Sequence, residues 1–273
     1  MTDTWMIRNL RAVRGRAYPR IIGLTREPSW VFFGVVLPLF TVAAYVYVYK
    51  FMGARPEFIG YVVLGGAMTA FWLNILWSMA SQLYWEKEIG NLQLYLIAPI
   101  SRMSILGGMA AGGMVETTFR ASSTLALGIF AFGVSMTLSD PLMLVAVFVV
   151  TMVSLYGMGM MLASLYLLLG REAYHFSQLL MEPVYFVSGF YFPVKYLGRW
   201  VAAGASIVPI TLGLDALRQL FFTSAAEDAF LSVTAEVAIL AVLSVVFVFL
   251  AKYSLDYMER LGKTTGRLTL RWQ

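Results

Sequence analysis

The sequence predicts an all-α, polytopic membrane protein, and three observations predict it. The segments Trp30–Tyr49, Phe58–Trp85 and Pro141–Gly170 contain no Asp, Glu, Lys or Arg, and each approaches or exceeds the roughly 20 apolar residues that carry a helix across a bilayer. The chain's 273 residues are 60% hydrophobic and 13% charged, with a mean hydropathy of +0.75; soluble domains sit at roughly 45–50% and 25%. Trp30, Tyr45, Tyr47, Tyr49, Tyr84 and Trp85 lie close to block ends, where amphipathic rings settle at the headgroup level.

Residues 1–29 open the chain as an interfacial element. Trp5, Ile7, Leu10, Val13 and Tyr18 are interleaved with Arg8, Arg11, Arg14, Arg16 and Arg20, which predicts a basic amphipathic helix over Trp5–Ile22 lying on the inner leaflet. No short apolar run ending in a small-residue cleavage site is present there, so a signal peptide is not expected. Residues 30–251 form the bundle and residues 252–273 a cytoplasmic tail. Apolar length places six transmembrane helices near Trp30–Tyr49, Ile59–Tyr84, Ile105–Met136, Leu142–Leu169, Tyr174–Phe192 and Ala229–Ala251.

Three parts of that bundle are irregular. The inner loop Glu86–Met103 begins Glu86-Lys87-Glu88 and continues through Ile89, Leu92, Leu94, Leu96 and Ile97 to Pro99; it reads as a short amphipathic helix facing the cytoplasm and able to dock a partner. The third block would be roughly 48 Å long if helical throughout, and Gly107, Gly108, Gly112 and Gly113 in its inner half predict tight packing or a kink. The outer segment Pro193–Asp228 holds the charge-free run Trp200–Leu214, at about 15 residues too short to span. Punctuated by Pro193 and Pro209, it reads as re-entrant or interfacial.

Charge sets the orientation. With both termini inside, the inner segments carry Arg8, Arg11, Arg14, Arg16, Arg20, Arg26, Lys87, Arg102, Arg171, Lys252, Arg260, Lys263, Arg267 and Arg271, which is 14 of the 20 basic residues. The outer segments carry Lys50, Arg55, Lys195, Arg199 and Arg218, so the excess is positive-inside. The net charge of +5 is accounted for by this topology, and a nucleic-acid partner is not expected.

Motifs for chemistry fail their tests. Gly262-Lys263-Thr264-Thr265 resembles the end of a phosphate loop, but Tyr257 stands where that loop needs its first glycine and a membrane helix stands where it needs a strand. Ser188-Gly189 lacks the glycine two residues before the serine, His175 is the only histidine, and no His-Glu-x-x-His motif exists. The chain has no cysteine, so neither a disulfide framework nor a thiolate metal site is available. No catalytic residue, bound cofactor or metal is therefore expected, and any energy source must be supplied from outside.

The polar residues inside the spans are the candidate pathway. Glu116 and Arg120 stand four apart, share a helix face and can pair, either along a cavity or as a structural pair. Glu182 precedes Pro183, a helix-kinking residue, and has no evident local partner; an intramembrane carboxylate is a pathway residue by default, and a carboxyl held neutral by burial is the competing reading. Asn74, with Ser78, Ser81 and Gln82 on the second span, suits interhelical hydrogen bonding.

Two stretches resemble the permease subunits of ATP-binding-cassette exporters of the type-two family. One is Trp85-Glu86-Lys87-Glu88-Ile89-Gly90-Asn91-Leu92-Gln93-Leu94-Tyr95-Leu96-Ile97-Ala98-Pro99-Ile100, followed by Ile105-Leu106-Gly107. The other is Phe186-Val187-Ser188-Gly189-Phe190-Tyr191-Phe192-Pro193, followed by Val208-Pro209-Ile210-Thr211 and Asp215-Ala216-Leu217-Arg218. The resemblance implies that Glu86–Met103 is a coupling helix docking into a separate ATPase subunit through Glu86, Lys87, Glu88, Gly90, Leu92, Leu96 and Pro99. Carboxylates at the start of such a helix would gain about 0.3–1 kcal/mol each from its dipole. It further implies re-entrant gate helices over Pro193–Asp228, with Ser188, Gly189, Pro193, Pro209 and Arg218 at the outer gate.

The expectation is a multi-pass plasma- or inner-membrane export permease. It would act with a second permease copy, identical or not, and two ATPase subunits that bind ATP and Mg, moving a lipophilic or amphipathic drug, peptide or lipid-linked molecule. The densely basic, aromatic-rich start of the polysaccharide-exporting branch is missing. Three alternatives stand beside this reading: export of a lipid-linked polysaccharide, an ion-coupled secondary transporter using Glu182, Glu116 and Arg120 as relay, and a scaffold that recruits a partner through the loop after Glu86.

Overall fold

A chain in hydrocarbon has to satisfy its backbone polar groups within itself, and every regular element among the described residues is a helix. The computed structural model describes residues 4–170 and 172–265. Arg171, the tail residues Arg267 and Arg271, and the side chains of Leu96 and of the Gly262-Lys263-Thr264-Thr265 run lie outside the described set.

The helices, in order, are α1 (Trp5–Arg26), α2 (Pro28–Phe51), α3 (Glu57–Leu73), a π-helical turn (Asn74–Ala80), α4 (Gln82–Glu88), α5 (Asn91–Ile97), α6 (Arg102–Phe132), α7 (Pro141–Leu169) and α8 (Glu172–Val187). A 3-10 turn (Val194–Leu197) then leads to α9 (Arg199–Ala205), α10 (Pro209–Phe221), α11 (Ala225–Asp228) and α12 (Val233–Thr265). Prolines sit in the first turns of α2, α7 and α10, where the missing N–H costs nothing, and Asp140 caps α7 through the N–H groups of Leu142 and Met143.

The axis of the bundle is α3. It is apolar all round, and every residue from Gly60 to Trp72 is buried, as expected for a helix without a polar face. Packed around it are α2, α6, α10 and α8, while α7 packs on the π-helical turn that follows it. Glycines set the closest approaches: Val42 of α2 fills the notch above Gly66, and Val63 of α3 that beside Gly128 of α6. The outermost helix, α12, lies along α7, with Gly157 against Phe247 and Val248.

Among the described residues, four helical stretches, Pro28–Phe51, Glu57–Glu88, Pro141–Leu169 and Val233–Leu261, are long and apolar enough to cross a membrane, or five if the sharply bent pair α9 and α10 is counted as one span. Those two are bent by 111°, so the run read from sequence as too short to span turns back on itself. The six expected crossings also include α6 and α8, which fall outside that count. With 16 residues, α8 is short, whereas α6 has 31 residues but is diluted by glycines, serines, threonines and the Glu116–Arg120 pair.

Of the two outcomes expected for the overlong block, tight packing holds and the kink does not: α6 runs as one continuous helix, and Gly108 and Gly112 serve packing. A Cβ on Gly108 would stand 2.6 Å from the Val13 carbonyl, and one on Gly112 2.9 Å from that of Ala17. One face of α1 is therefore laid on α6, while Trp5, Met6, Leu10 and Tyr18 stay exposed. Asn9 adds a hydrogen bond, its Oδ1 accepting from the Ser101 N–H at 2.7 Å, just before α6 begins.

Candidate functional site

At the end of the bundle that carries α5, a single carboxylate on α4 ties together three elements. Glu86 is 3% exposed. Its Oε1 accepts from Arg16 of α1 at 2.5 Å and from Gln82 at 2.9 Å; its Oε2 accepts from Asn91 and Tyr95 of α5, both at 3.0 Å. The Arg16 guanidinium also lies 5.1 Å from the Tyr95 ring centre. One turn up, Arg20 donates to the Ser78 hydroxyl at 2.6 Å, to the Ser78 carbonyl at 3.3 Å and to Gln82 at 2.7 Å. Ser78 lies in the π-helical turn, a ladder defect that recurs at functional positions. Asn74, at the start of that turn, accepts from Tyr156 of α7 at 3.0 Å.

This geometry corrects the sequence reading of the loop. Glu86–Met103 is not one helix opening with acidic residues: α4 ends at Glu88, Gly90 takes the left-handed conformation at φ 85, which favours glycine, and α5 starts afresh at Asn91. Glu86 and Lys87 are buried, so they do not face a partner, and Leu92 belongs to the core. The exposed apolar residues are instead Trp85, Ile89, Leu94 and Ile97, with Glu88 half-buried and Pro99 exposed beside them. Helix α5 stops at Ile97 because Ala98, extended at ψ 138, precedes Pro99, which disfavours helical backbone before it.

Halfway along the bundle, α2, α3, α6, α8 and the chain after α8 enclose a lateral pocket of about 630 Å³. Arg120 and Glu182, 62 residues apart in sequence, both line it. Arg120 pairs with Glu116 at 3.7 Å and lies 6.0 Å from the Trp30 ring centre, and its guanidinium occupies the space over Gly34. Glu182 is exposed to the pocket. Asn74, grouped with these residues from sequence, does not line the pocket; it is buried at the contact with α7.

At the opposite end, the chain after α8 forms a buried hairpin. Gly189 has φ 72, and a Cβ there would stand 2.8 Å from the Phe192 carbonyl. The Phe190 carbonyl seats against Gly65 so closely that no side chain fits at that glycine. Arg218, 3% exposed, donates to the carbonyls of Phe190 at 2.9 Å, Tyr61 at 3.2 Å and Phe192 at 3.3 Å, which ties α10 to α3 and to the hairpin tip. The Ser188 hydroxyl is buried without a hydrogen-bond partner among the described residues. Pro193 leads into the 3-10 turn, and Pro209 opens α10.

The hairpin is also latched from above. Asp228 accepts from Tyr196 at 2.5 Å, Arg55 at 2.6 Å and Tyr61 at 3.3 Å. Burial pushes its carboxyl pKa up, but these hydrogen bonds and the Arg55 charge outweigh that and hold it below the usual carboxylate range. Sequence reasoning missed Arg16, Arg20, Tyr61, Gly65 and Asp228. For Arg16 and Arg20 a signal existed, since residues four apart share one helix face; for Tyr61, Gly65 and Asp228 only the tertiary contacts assign a role.

The comparisons with known proteins agree with this architecture. Residues 20–222 match the family described as ABC-2 type transporter. Two Escherichia coli proteins, from strain K12 and from O157:H7, each named "Probable multidrug ABC transporter permease YbhR", are 30% identical to this chain over 147 residues. That alignment takes in 52% of this chain and 38% of each relative's length. With most of its length matched, the chain belongs to the ABC-2 type transporter family.

Proposed function

We propose that this chain is the membrane-spanning subunit of an ATP-driven exporter for lipophilic or amphipathic molecules. In this reading it crosses the plasma or inner membrane six times with both termini in the cytoplasm, and works as a pair of copies with two ATPase subunits that bind ATP and Mg. The observation that carries the reading is the α4–α5 corner. An exposed apolar face, Ile89, Leu94 and Ile97, sits on a base made rigid by the Glu86 hydrogen bonds, as a lever receiving mechanical work requires. Membership of the ABC-2 family supports a separate ATPase as the source of that work, and the printed name of the E. coli relatives supports a drug-like cargo.

Geometry is compatible with the other parts of the proposal. At about 1.5 Å per residue α6 reaches some 46 Å, more than the roughly 30 Å hydrocarbon core, and α8 reaches about 24 Å before the hairpin continues it. The lateral pocket opens between α2 and α8, where a second copy would complete a path, and the Arg218-bound hairpin would gate its outer end. Closure of the ATPases would rock rigid helices against each other. The test replaces Leu94 and Ile97 by Asp, exposed positions whose change leaves the core alone. Co-purification of the ATPase subunit and substrate-stimulated hydrolysis should both fall; retention of both at wild-type levels would remove the docking assignment.

A further inference from the structure

The lateral pocket has an uncompensated charge. Arg120 is ion-paired within the chain by Glu116 at 3.7 Å and packs against Trp30 and the Gly34 notch, its Nε buried without a hydrogen-bond partner among the described residues. Glu182 lines the same cavity with neither a hydrogen bond nor an ion pair among the described residues. The surrounding wall is aromatic: Trp30, Tyr45, Tyr185, Phe186, Tyr191 and Phe192. Tyr45 and Tyr191 stack at 4.1 Å with their planes 10° apart, which presents a flat, rigid surface.

We propose that this pocket takes an organic cation of aromatic or amphipathic character, its charge against the Glu182 carboxylate and its apolar body against the aromatic wall. The proposal rests on reading the pocket as the export path and narrows the cargo from lipophilic molecules in general to cations. Three physical terms favour it. If α8 is one of six spans, as proposed above, Glu182 stands at membrane depth, where a carboxylate is costly without a counter-charge, so a bound cation relieves a cost that a neutral or anionic molecule leaves in place. Ring faces of Trp and Tyr attract cations, the more so when water is displaced. The volume of about 630 Å³ falls among pockets that take drug-sized ligands, roughly 300–1,000 Å³. A diffuse, weakly hydrated cation gains from all three, whereas an anion would meet an arginine already paired.

The test measures tetraphenylphosphonium binding to the full chain in nanodiscs by equilibrium dialysis, with triphenylphosphine oxide as the neutral probe of similar shape. Wild type should bind the cation saturably. Glu182→Gln should weaken that binding about thirtyfold, the low end for loss of one partner of a desolvated charge pair because the pocket is open, and Glu182→Asp should keep most of it. Both variants should bind the neutral probe as wild type does, which shows that the pocket is folded. Equal cation affinity in wild type and Glu182→Gln, or tetraphenylborate binding as tightly as the phosphonium, would overturn the proposal. These outcomes separate from failure of the exporter reading, which is decided by whether an ATPase subunit drives transport of any cargo.

Discussion

Glu86 makes the most exacting prediction. Removing Arg16 as Arg16→Ala deletes one charge-assisted hydrogen bond at 2.5 Å and the guanidinium–Tyr95 contact, but leaves Gln82, Asn91 and Tyr95 as donors. A hydrogen bond to a charged group contributes about 1.5–3 kcal/mol and an exposed cation–π contact about 0.5–1 kcal/mol, so the expected loss is about 2–4 kcal/mol. Glu86→Gln should cost about 3 kcal/mol, the lower end for breaking a buried pair, because its amide N–H groups face donors and Arg16, 26% exposed, keeps some contact with water. The double variant should lose less than the sum by about 1–2 kcal/mol, since both changes remove the same interaction. The assay is SDS-titrated unfolding of the purified chain in detergent micelles, run as a double-mutant cycle. Additivity within about 0.5 kcal/mol would refute the reasoning, because it would mean that Arg16 and Glu86 do not act as a pair.

Other consequences follow from the same contacts. Gly108→Leu should force α1 off α6 and cost about 1–3 kcal/mol as overpacking, whereas Gly107→Leu, with open space around it, should leave the unfolding midpoint unchanged; equal effects would contradict the packing. Arg218→Gln should leave buried carbonyls of Tyr61 and Phe190 without their donor, a loss of about 2–3 kcal/mol, seen as faster chymotrypsin cleavage after Tyr191; an unchanged cleavage rate would contradict it. Because the folded-state pKa of Asp228 is lowered, its contribution is present above the ordinary carboxylate range and disappears as pH falls through the lowered value. The stability gap between wild type and Asp228→Asn should therefore be constant near neutrality and close in acid, and a gap that widens in acid would contradict the sign.

What the sequence made legible follows from what bilayers select. Long charge-free runs fixed the existence of α2, α3 and α7 because hydrocarbon tolerates little else, and the breaks at Pro193 and Pro209 were readable because proline removes a donor. The interior of the α4–α5 corner was not readable. Glu86-Lys87-Glu88 looks like a solvated charge run, and burial of Glu86 depends on donors that tertiary structure assembles, Asn91 and Tyr95 of α5 and Arg16 from 70 residues away. The α4–α5 division depended on Gly90 adopting positive φ, which a glycine allows but does not require. Glu116 and Arg120 were paired correctly from their spacing, since helix geometry alone decides that, whereas the meeting of Arg120 with Glu182 in one pocket depends on how α6 and α8 pack. Asn74 was grouped with the pathway because polarity alone cannot distinguish a lining residue from one bonded to Tyr156.

The proposed dependence of the chain on an external motor is tested most directly by reconstituting it into proteoliposomes with and without the proposed ATPase subunit and following uptake of a labelled amphipathic cargo. Uptake should require both the ATPase and hydrolysable ATP, and should fall with Leu94→Asp/Ile97→Asp in step with loss of ATPase binding. Uptake by the chain alone, driven by an ion gradient and insensitive to ATP, would contradict the account.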